Sequence, residues 1–206
     1  SPLTFIFRRT ELPTPSRLDD LLGEGYANAL ALQDPRTSST GMYFLIWVLA
    51  LKGEDGGFDF LKKLKPSIRI ISPTWSASYS LFQNNQAPMV FSFFTSTIYH
   101  YINEDDSRYQ PVYFDEPHVS SVEYAAVPEA CVNCAAGEKL VHFILSAETQ
   151  KNIMEKNYML PVVRGVKNNT PFDFPKAVPL LEPSRFEKFL PNKDALLERW
   201  KKLSLS

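Results

Sequence analysis

The stretch Gln33-Asp34-Pro35-Arg36-Thr37-Ser38-Ser39-Thr40-Gly41 runs directly into the apolar segment Met42 to Leu51 and carries the densest set of ligand-capable groups in the chain. A loop that opens a helix leaves backbone N–H groups without intrahelical partners, and the aligned peptide dipoles place partial positive charge there. Such a start can hold an anion. Ser38, Ser39 and Thr40 add hydroxyl donors, and Arg36 adds a planar cationic fork. The same residues are also an ordinary N-cap signal, because Ser and Thr ahead of an apolar run can satisfy those N–H groups themselves.

Catalytic groups are sparse. His100, His118 and His142 are scattered, and the chain has no His-Glu metal motif, no Gly-x-Ser-x-Gly elbow, no Gly-x-Gly-x-x-Gly and no P-loop lysine. The run Glu104-Asp105-Asp106 lies in a polar stretch and reads as a solvated face. No catalytic residue, cofactor or bound metal is expected. Cys131-Val132-Asn133-Cys134 leaves three readings open. A zinc site would need further ligands from histidines that have no spacing signature. A redox pair would need a βαβ unit and an activating neighbour, and a helix does begin near Cys134. A structural disulfide in an oxidising compartment, or two plain thiols, needs nothing more.

What recurs is aromatic. Trp75 stands at a helix start, Phe93 and Phe94 at a strand end, Tyr99 one turn beyond, and Tyr158 just before Met159-Leu160-Pro161. In α/β sheets ligands bind outside the carboxyl ends of the strands, where such positions converge. Ring faces there would stack on a flat ligand and attract a cation, at about 0.5–2 kcal/mol each. The alternative for each is a place in the core.

These groups need a scaffold, and the periodicities supply one. Strands are expected at Leu3 to Phe7, Ala29 to Leu32, Ser67 to Ile71 and Met89 to Phe93, then at Val112 to Phe114 and Val119 to Val127. Helices are expected at Arg17 to Leu22, Met42 to Leu51 and Phe58 to Leu64, with Gly53 and Gly56-Gly57 ending the second of these. A helix capped at Ser72-Pro73 carries Trp75, Tyr79 and Phe82 on one face. A short one runs from Ile98 to Ile102. Further helices are expected at Cys134 to Leu145 and Ala147 to Met154, and a last one is capped by Asn192. Asn168 to Pro183 reads as extended. Alternating strands and helices predict an α/β layer around a largely parallel sheet.

Composition bounds the partners. With 206 residues and 44% apolar content the chain can bury a core, in one or two domains. No apolar run approaches the roughly 20 residues of a membrane span, so direct membrane insertion is not expected. A net charge of −1, with both signs mixed along the chain, gives no attraction to a phosphate backbone, and nucleic acid is not an expected partner. The opening Ser1-Pro2-Leu3-Thr4-Phe5-Ile6-Phe7 lacks an initiator Met and starts inside an expected strand, which reads as a fragment or a processed terminus.

Four segments, in order along nearly the whole chain, resemble the periplasmic thiamine-binding proteins of bacterial ABC importers, within the two-lobed solute-binding proteins. Gln33 to Ser38 is similar to that family's QDPRTS loop, followed by a Gly and an apolar helix containing Trp47. Trp75 to Phe82 is similar to GWSEAYGLF, Ser92 to His100 to SYTTSPAYH, and Asn157 to Val162 to NWMYPV. Phe93 stands where the family has Tyr, Tyr158 where it has Trp, Thr74 where it has Gly and Thr40 where it has Pro.

The resemblance implies a type II periplasmic solute-binding fold and a protein without catalysis that delivers thiamine, or its phosphates, to an ABC transporter permease. Trp75 and Tyr99 would pack on the thiamine rings, with Phe93 and Tyr158 beside them. Ser38, near Arg36, would reach the hydroxyl or phosphate end. It also implies that the chain is the C-terminal portion of a longer protein. Residues 1–110 would then form the C-terminal lobe, with a mostly parallel sheet flanked by helices. Residues 111–165 would form a returning hinge strand and a partial N-terminal lobe without its sheet partners, and 166–206 an extended segment and a terminal helix on the first lobe. Rivals are a binder of another solute (a metal chelate, polyamine or phosphonate) and an enzyme of thiamine-pyrimidine synthesis on the same fold, which would need a reactive Cys or His in the cleft.

Overall fold

The computed structural model describes residues 1–174 and 176–205. Its elements begin with β1 (Leu3–Arg8), β2 (Leu30–Gln33), α1 (Ser39–Lys52), α2 (Glu54–Leu64), β3 (Ile68–Ser72), α3 (Trp75–Gln83), β4 (Met89–Phe93), α4 (Ser96–Glu104) and β5 (Tyr109–Pro111). They continue with α5 (Cys134–Ile144), α6 (Ala147–Asn157), α7 (Pro183–Glu187) and α8 (Lys193–Leu205). Short 3-10 turns cover Leu18–Leu22 and Glu24–Tyr26, where a helix from Arg17 to Leu22 was expected.

One five-stranded sheet, in the order β3-β2-β4-β1-β5, organises the chain. All six residues of β1 are buried, as for a strand covered on both faces. Side chains alternate between two cores, as the two-residue period of a strand requires. Leu3, Phe5 and Phe7 join Leu30, Leu32, Met89 and Phe91 under α1, α2 and α8, whereas Ile6, Ala31 and Val90 face Tyr79 and Phe82 of α3. The expected helical face of Trp75, Tyr79 and Phe82 is the one that docks.

The fold is α/β as expected, but its sheet is mixed rather than mostly parallel. β2 runs parallel to β3 and β4, while β1 runs antiparallel to β4 and β5. A crossover helix enforces parallel pairing. α1 and α2 bring β3 back beside β2, but neither neighbour of β1 in the sheet is reached from it through such a unit.

α1 is apolar all round and is buried accordingly, between the sheet, α2 and α7. Its entry is tight: a Cβ on Gly41 would lie 2.5 Å from the Gln33 carbonyl oxygen, so only glycine lets the helix start this close to the end of β2. Gly53, at φ 77°, makes the break into α2, whereas Gly56 and Gly57, expected to end a helix, lie inside α2. α8 closes this side, burying Leu196 and Trp200 and placing Arg199 4.3 Å above the Phe58 ring.

The remainder is differently built. The strand expected at Val119 to Val127 does not form; among the described residues the neighbourhood has only isolated bridges, Pro2 to Ser120 and His118 to Leu180, and no strand lies alongside. From residue 121 to residue 149 no side chain is buried. α6 is held by a small cluster of Met154, Phe172 and Ile98 of α4. Cys131 and Cys134 are joined as a disulfide beside the start of α5, which removes the reading of two plain thiols. Among the described residues no helix is long and apolar enough to cross a membrane.

Candidate functional site

At the carboxyl ends of β3 and β4 the chain opens a cleft of about 470 Å³, within the roughly 300–1,000 Å³ usual for small-molecule sites. Trp75, at the first position of α3, Phe93, at the last of β4, and Tyr99, one turn into α4, form one wall. Tyr158 and Met159, at the end of α6, form the other. Tyr158 sits at the C-cap of α6 in the left-handed region, φ 54°, and its ring meets Tyr99 edge-on at 5.5 Å. Its hydroxyl accepts from Asn103 Nδ2 at 2.7 Å, which ties α6 to α4.

The aromatic wall is held from behind. Trp75 stacks on Tyr79 with centroids 4.9 Å apart, and its Nε1 donates to Ser92 Oγ at 2.8 Å. Thr74, rather than the expected Ser72, caps α3 by accepting from the Ala77 amide. The structure thus brings together Trp75, Phe93, Tyr99 and Tyr158. Phe94 points the other way and is buried against Tyr113, His118 and Phe174.

Arg36 and Ser38 lie elsewhere. They line a neighbouring cavity of about 480 Å³ with Tyr43, Phe186, Leu190 and Lys193. The two loops touch, since Thr37 Oγ1 donates to the Pro73 carbonyl at 2.7 Å, but the cavities are distinct. Arg36 turns its fork onto Asp34, with Nε to Oδ1 at 3.0 Å. Partial burial raises the Asp34 carboxyl, and the bonds from Arg36 more than offset this, leaving it below the usual value. Ser38 is the N-cap of α1 by backbone position, yet its hydroxyl pairs with Thr40 Oγ1 at 2.8 Å instead of capping the helix.

Sequence reasoning missed two groups in the cleft. Tyr79 was placed on the buried face of its helix, and it is buried, but it also lines the cleft beneath Trp75. Glu123, an exposed residue from a segment read as a strand, also lines the cleft and acts on the Ser1 ammonium, and nothing in its sequence neighbours marks it. Cys131, Cys134 and the three histidines do not line the cleft. Among the described residues no three His, Cys, Asp or Glu side chains are grouped to hold a metal.

A sequence profile of the family described as bacterial extracellular solute-binding protein matches residues 6–184. The thiamine-binding periplasmic protein of Brucella melitensis is 31% identical over 163 residues, 79% of this chain and 48% of that protein. Its counterpart in Haemophilus influenzae is 33% identical over 162 residues, 78% of this chain and 48% of that one. The chain therefore spans about half the length, 48%, of these curated relatives. Among solved structures, a periplasmic thiamin binding protein superposes with a TM-score of 0.84 at 27% identity, covering 98% of this chain and 63% of that one. The periplasmic binding protein AfuA of Actinobacillus pleuropneumoniae, with fructose-6-phosphate bound, superposes at 0.77 with 20% identity, covering all of this chain and 67% of its own, and shares the fold.

Proposed function

Because the chain belongs to the bacterial extracellular solute-binding proteins, we propose that it is part of a periplasmic receptor that captures thiamine or its phosphates and hands them to the permease of an ABC importer. The observation that carries this reading is the convergence of Trp75, Phe93, Tyr99 and Tyr158 on one cleft that a carboxylate residue, Glu123, also lines. Thiamine offers two flat rings, one of them cationic. Ring faces take up the first property, and a carboxylate with the aromatic quadrupoles takes up the second. The names of the relatives from Brucella and Haemophilus point to the same ligand.

In this reading residues 1–110 form one lobe, on which 166–206 pack, and 111–165 begin the opposing lobe, with the ligand held between the two and closure as the working motion. Ser38 and Arg36, next door on the same end of the sheet, would face a phosphate or hydroxyl end once the lobes close. The family is one of solute-binding proteins, not enzymes. The rival enzyme loses its nucleophile, since the only cysteines are disulfide-bonded and outside the cleft.

Calorimetric titration of the protein with thiamine, its mono- and diphosphate, and spermidine tests the proposal. Heat with a thiamine species and none with spermidine is expected; the reverse order would transfer the cleft to a polyamine. Trp75→Ala should weaken thiamine binding by at least about 1 kcal/mol, and an unchanged affinity would return Trp75 to a purely packing role.

A further inference from the structure

Among the described residues, Asn28, Asn85, Asp105, Tyr158 and Asn169 are the non-glycine positions with a positive φ. Four of them are Asn or Asp, whose short polar side chains tolerate the left-handed region. Tyr158 is the exception, and it is the one of the five that lines the cleft. At φ 54° it ends α6, its amide donating to the Met154 carbonyl at 3.1 Å, a turn that glycine makes without strain. A strained backbone beneath a side chain at a cleft points to a use for that side chain.

The Tyr158 ring is held by its neighbours. Buried Phe172 stacks on it with centroids 6.4 Å apart and planes 29° from parallel, and Tyr99 meets it edge-on at 5.5 Å. Its hydroxyl is held by Asn103, which stands on α4 one turn after Tyr99. Asn103 Nδ2 lies 2.9 Å from the Tyr99 carbonyl and 2.7 Å from the Tyr158 hydroxyl.

These two distances fix the direction of every hydrogen in the chain. A main-chain carbonyl can only accept, so the nitrogen of the Asn103 amide, not its oxygen, must face Tyr99. The same nitrogen faces Tyr158, and it has two hydrogens and no lone pair with which to accept. One hydrogen goes to Tyr99 and the other to Tyr158, which makes the phenol oxygen the acceptor. The phenol's own hydrogen is left over. Among the described residues no acceptor is bonded to it.

We propose that Asn103 is a positioning residue of the ligand cleft: by tying the Tyr158 hydroxyl to α4 as an acceptor, it fixes the wall opposite Trp75 and leaves the phenol hydrogen to be donated to an oxygen or ring nitrogen of the ligand. The proposal rests on the reading of the cleft as a thiamine site. Thiamine and its phosphates carry such acceptors in the pyrimidine ring and at the hydroxyl or phosphate end. The plainer role for Asn103 is to close the last turn of α4, and the test separates the two.

The protein has nine tyrosines and is labelled with 3-fluorotyrosine, the Tyr158 resonance being assigned by Tyr158→Phe. Asn103 is exposed, so Asn103→Leu removes the amide without touching the core. In the absence of ligand this substitution should move the Tyr158 resonance. In calorimetry, Asn103→Leu and Tyr158→Phe should each lower thiamine affinity about threefold to tenfold. With Tyr158→Phe already in place, Asn103→Leu should change it by less than about twofold, because the hydroxyl it serves is gone. Losses that multiply in the double variant, an unchanged affinity in Asn103→Leu, or a Tyr158 resonance that does not respond overturns the proposal. A responding resonance in a protein that takes up no thiamine would sink the ligand reading, and the donor role with it, while the tie between Asn103 and Tyr158 stood.

Discussion

The sheet-centred part of the molecule and the arm from residue 121 to residue 149 are both rich in apolar residues, and they treat them in opposite ways. Every residue of β1 is buried, while no side chain of the arm is. On or just beyond α5, Leu140 and Phe143 are 57% and 63% exposed. An amphipathic helix is half of a solution; burial also needs a second layer, which the sheet supplies on both faces and the arm lacks. The cleft lies on the seam, with Trp75, Tyr79, Phe93 and Tyr99 from the first region and Glu123 from the second. Stability should therefore reside in one region, while binding draws on both.

The strongest way to break this contrast is to cut a large side chain from each region. Trp47 is fully buried, donates to the Pro117 carbonyl at 2.7 Å and stacks on Phe91 and His118. Trp47→Ala should cost about 3–5 kcal/mol in urea unfolding, against less than about 0.5 kcal/mol for Phe143→Ala. Equal losses would mean that α5 has a partner layer after all.

Next in size is Gly41→Ala. The added methyl would collide with the Gln33 carbonyl and with Asp34 C at 2.7 Å, both backbone, so α1 or the end of β2 must move. A loss of about 1–3 kcal/mol is expected. A stability equal to that of the unaltered protein would show that the α1 entry is looser than the packing indicates.

Most elements of the sheet-centred region were legible because each carries its own period: β1, β2 and β4 as short apolar runs, α3 as the Trp75, Tyr79, Phe82 stripe. Strand direction was not, because the antiparallel position of β1 depends on partners far away in sequence. Val119 to Val127 failed for the converse reason, since its residue types suit a strand but no neighbour offers a ladder. At the cleft, the meeting of Trp75, Phe93, Tyr99 and Tyr158 follows from their places near element ends. Glu123 could not, because a carboxylate in an irregular segment acquires meaning only from what lies across the cleft. The loop at Arg36 and Ser38 was read from residue chemistry alone, which shows donors but not where they point; Asp34 and Thr40 engage them.

A smaller effect should appear with pH, and it should localise to the sheet region. His118 is fully buried against Trp47, its Nδ1 lies 3.0 Å from the Leu3 carbonyl, and its Nε2 is buried without a hydrogen-bond partner. Burial holds this imidazole below its ordinary value of 6.5. Between that value and the lower folded one the unfolded chain binds more protons, so stability rises with pH there. The contribution is fully present above 6.5 and is lost as pH falls through the depressed folded value. Asp34, whose folded carboxyl lies below 3.8, adds a separate loss at more acid pH. Unfolding midpoints of the protein and of His118→Phe should differ in slope just below pH 6.5; equal slopes would remove His118 from the account.

The smallest expected effect sharpens the comparison most, because it repeats the Gly41 substitution in the other region. Gly137 lies in α5, and the nearest atoms a Cβ there would meet belong to the Val127 side chain, from 3.0 Å. Replacing a helical glycine with alanine gains roughly 0.5–1 kcal/mol in an open site. Val127 belongs to an extended segment without a ladder and can give way, which leaves a net gain of a few tenths for α5. Amide exchange should slow in α5 while the global unfolding midpoint barely moves. A loss as large as that of Gly41→Ala would show the arm to be packed as rigidly as the sheet. The seam would then be a joint between two firm bodies, and the cleft could not owe its opening to the arm.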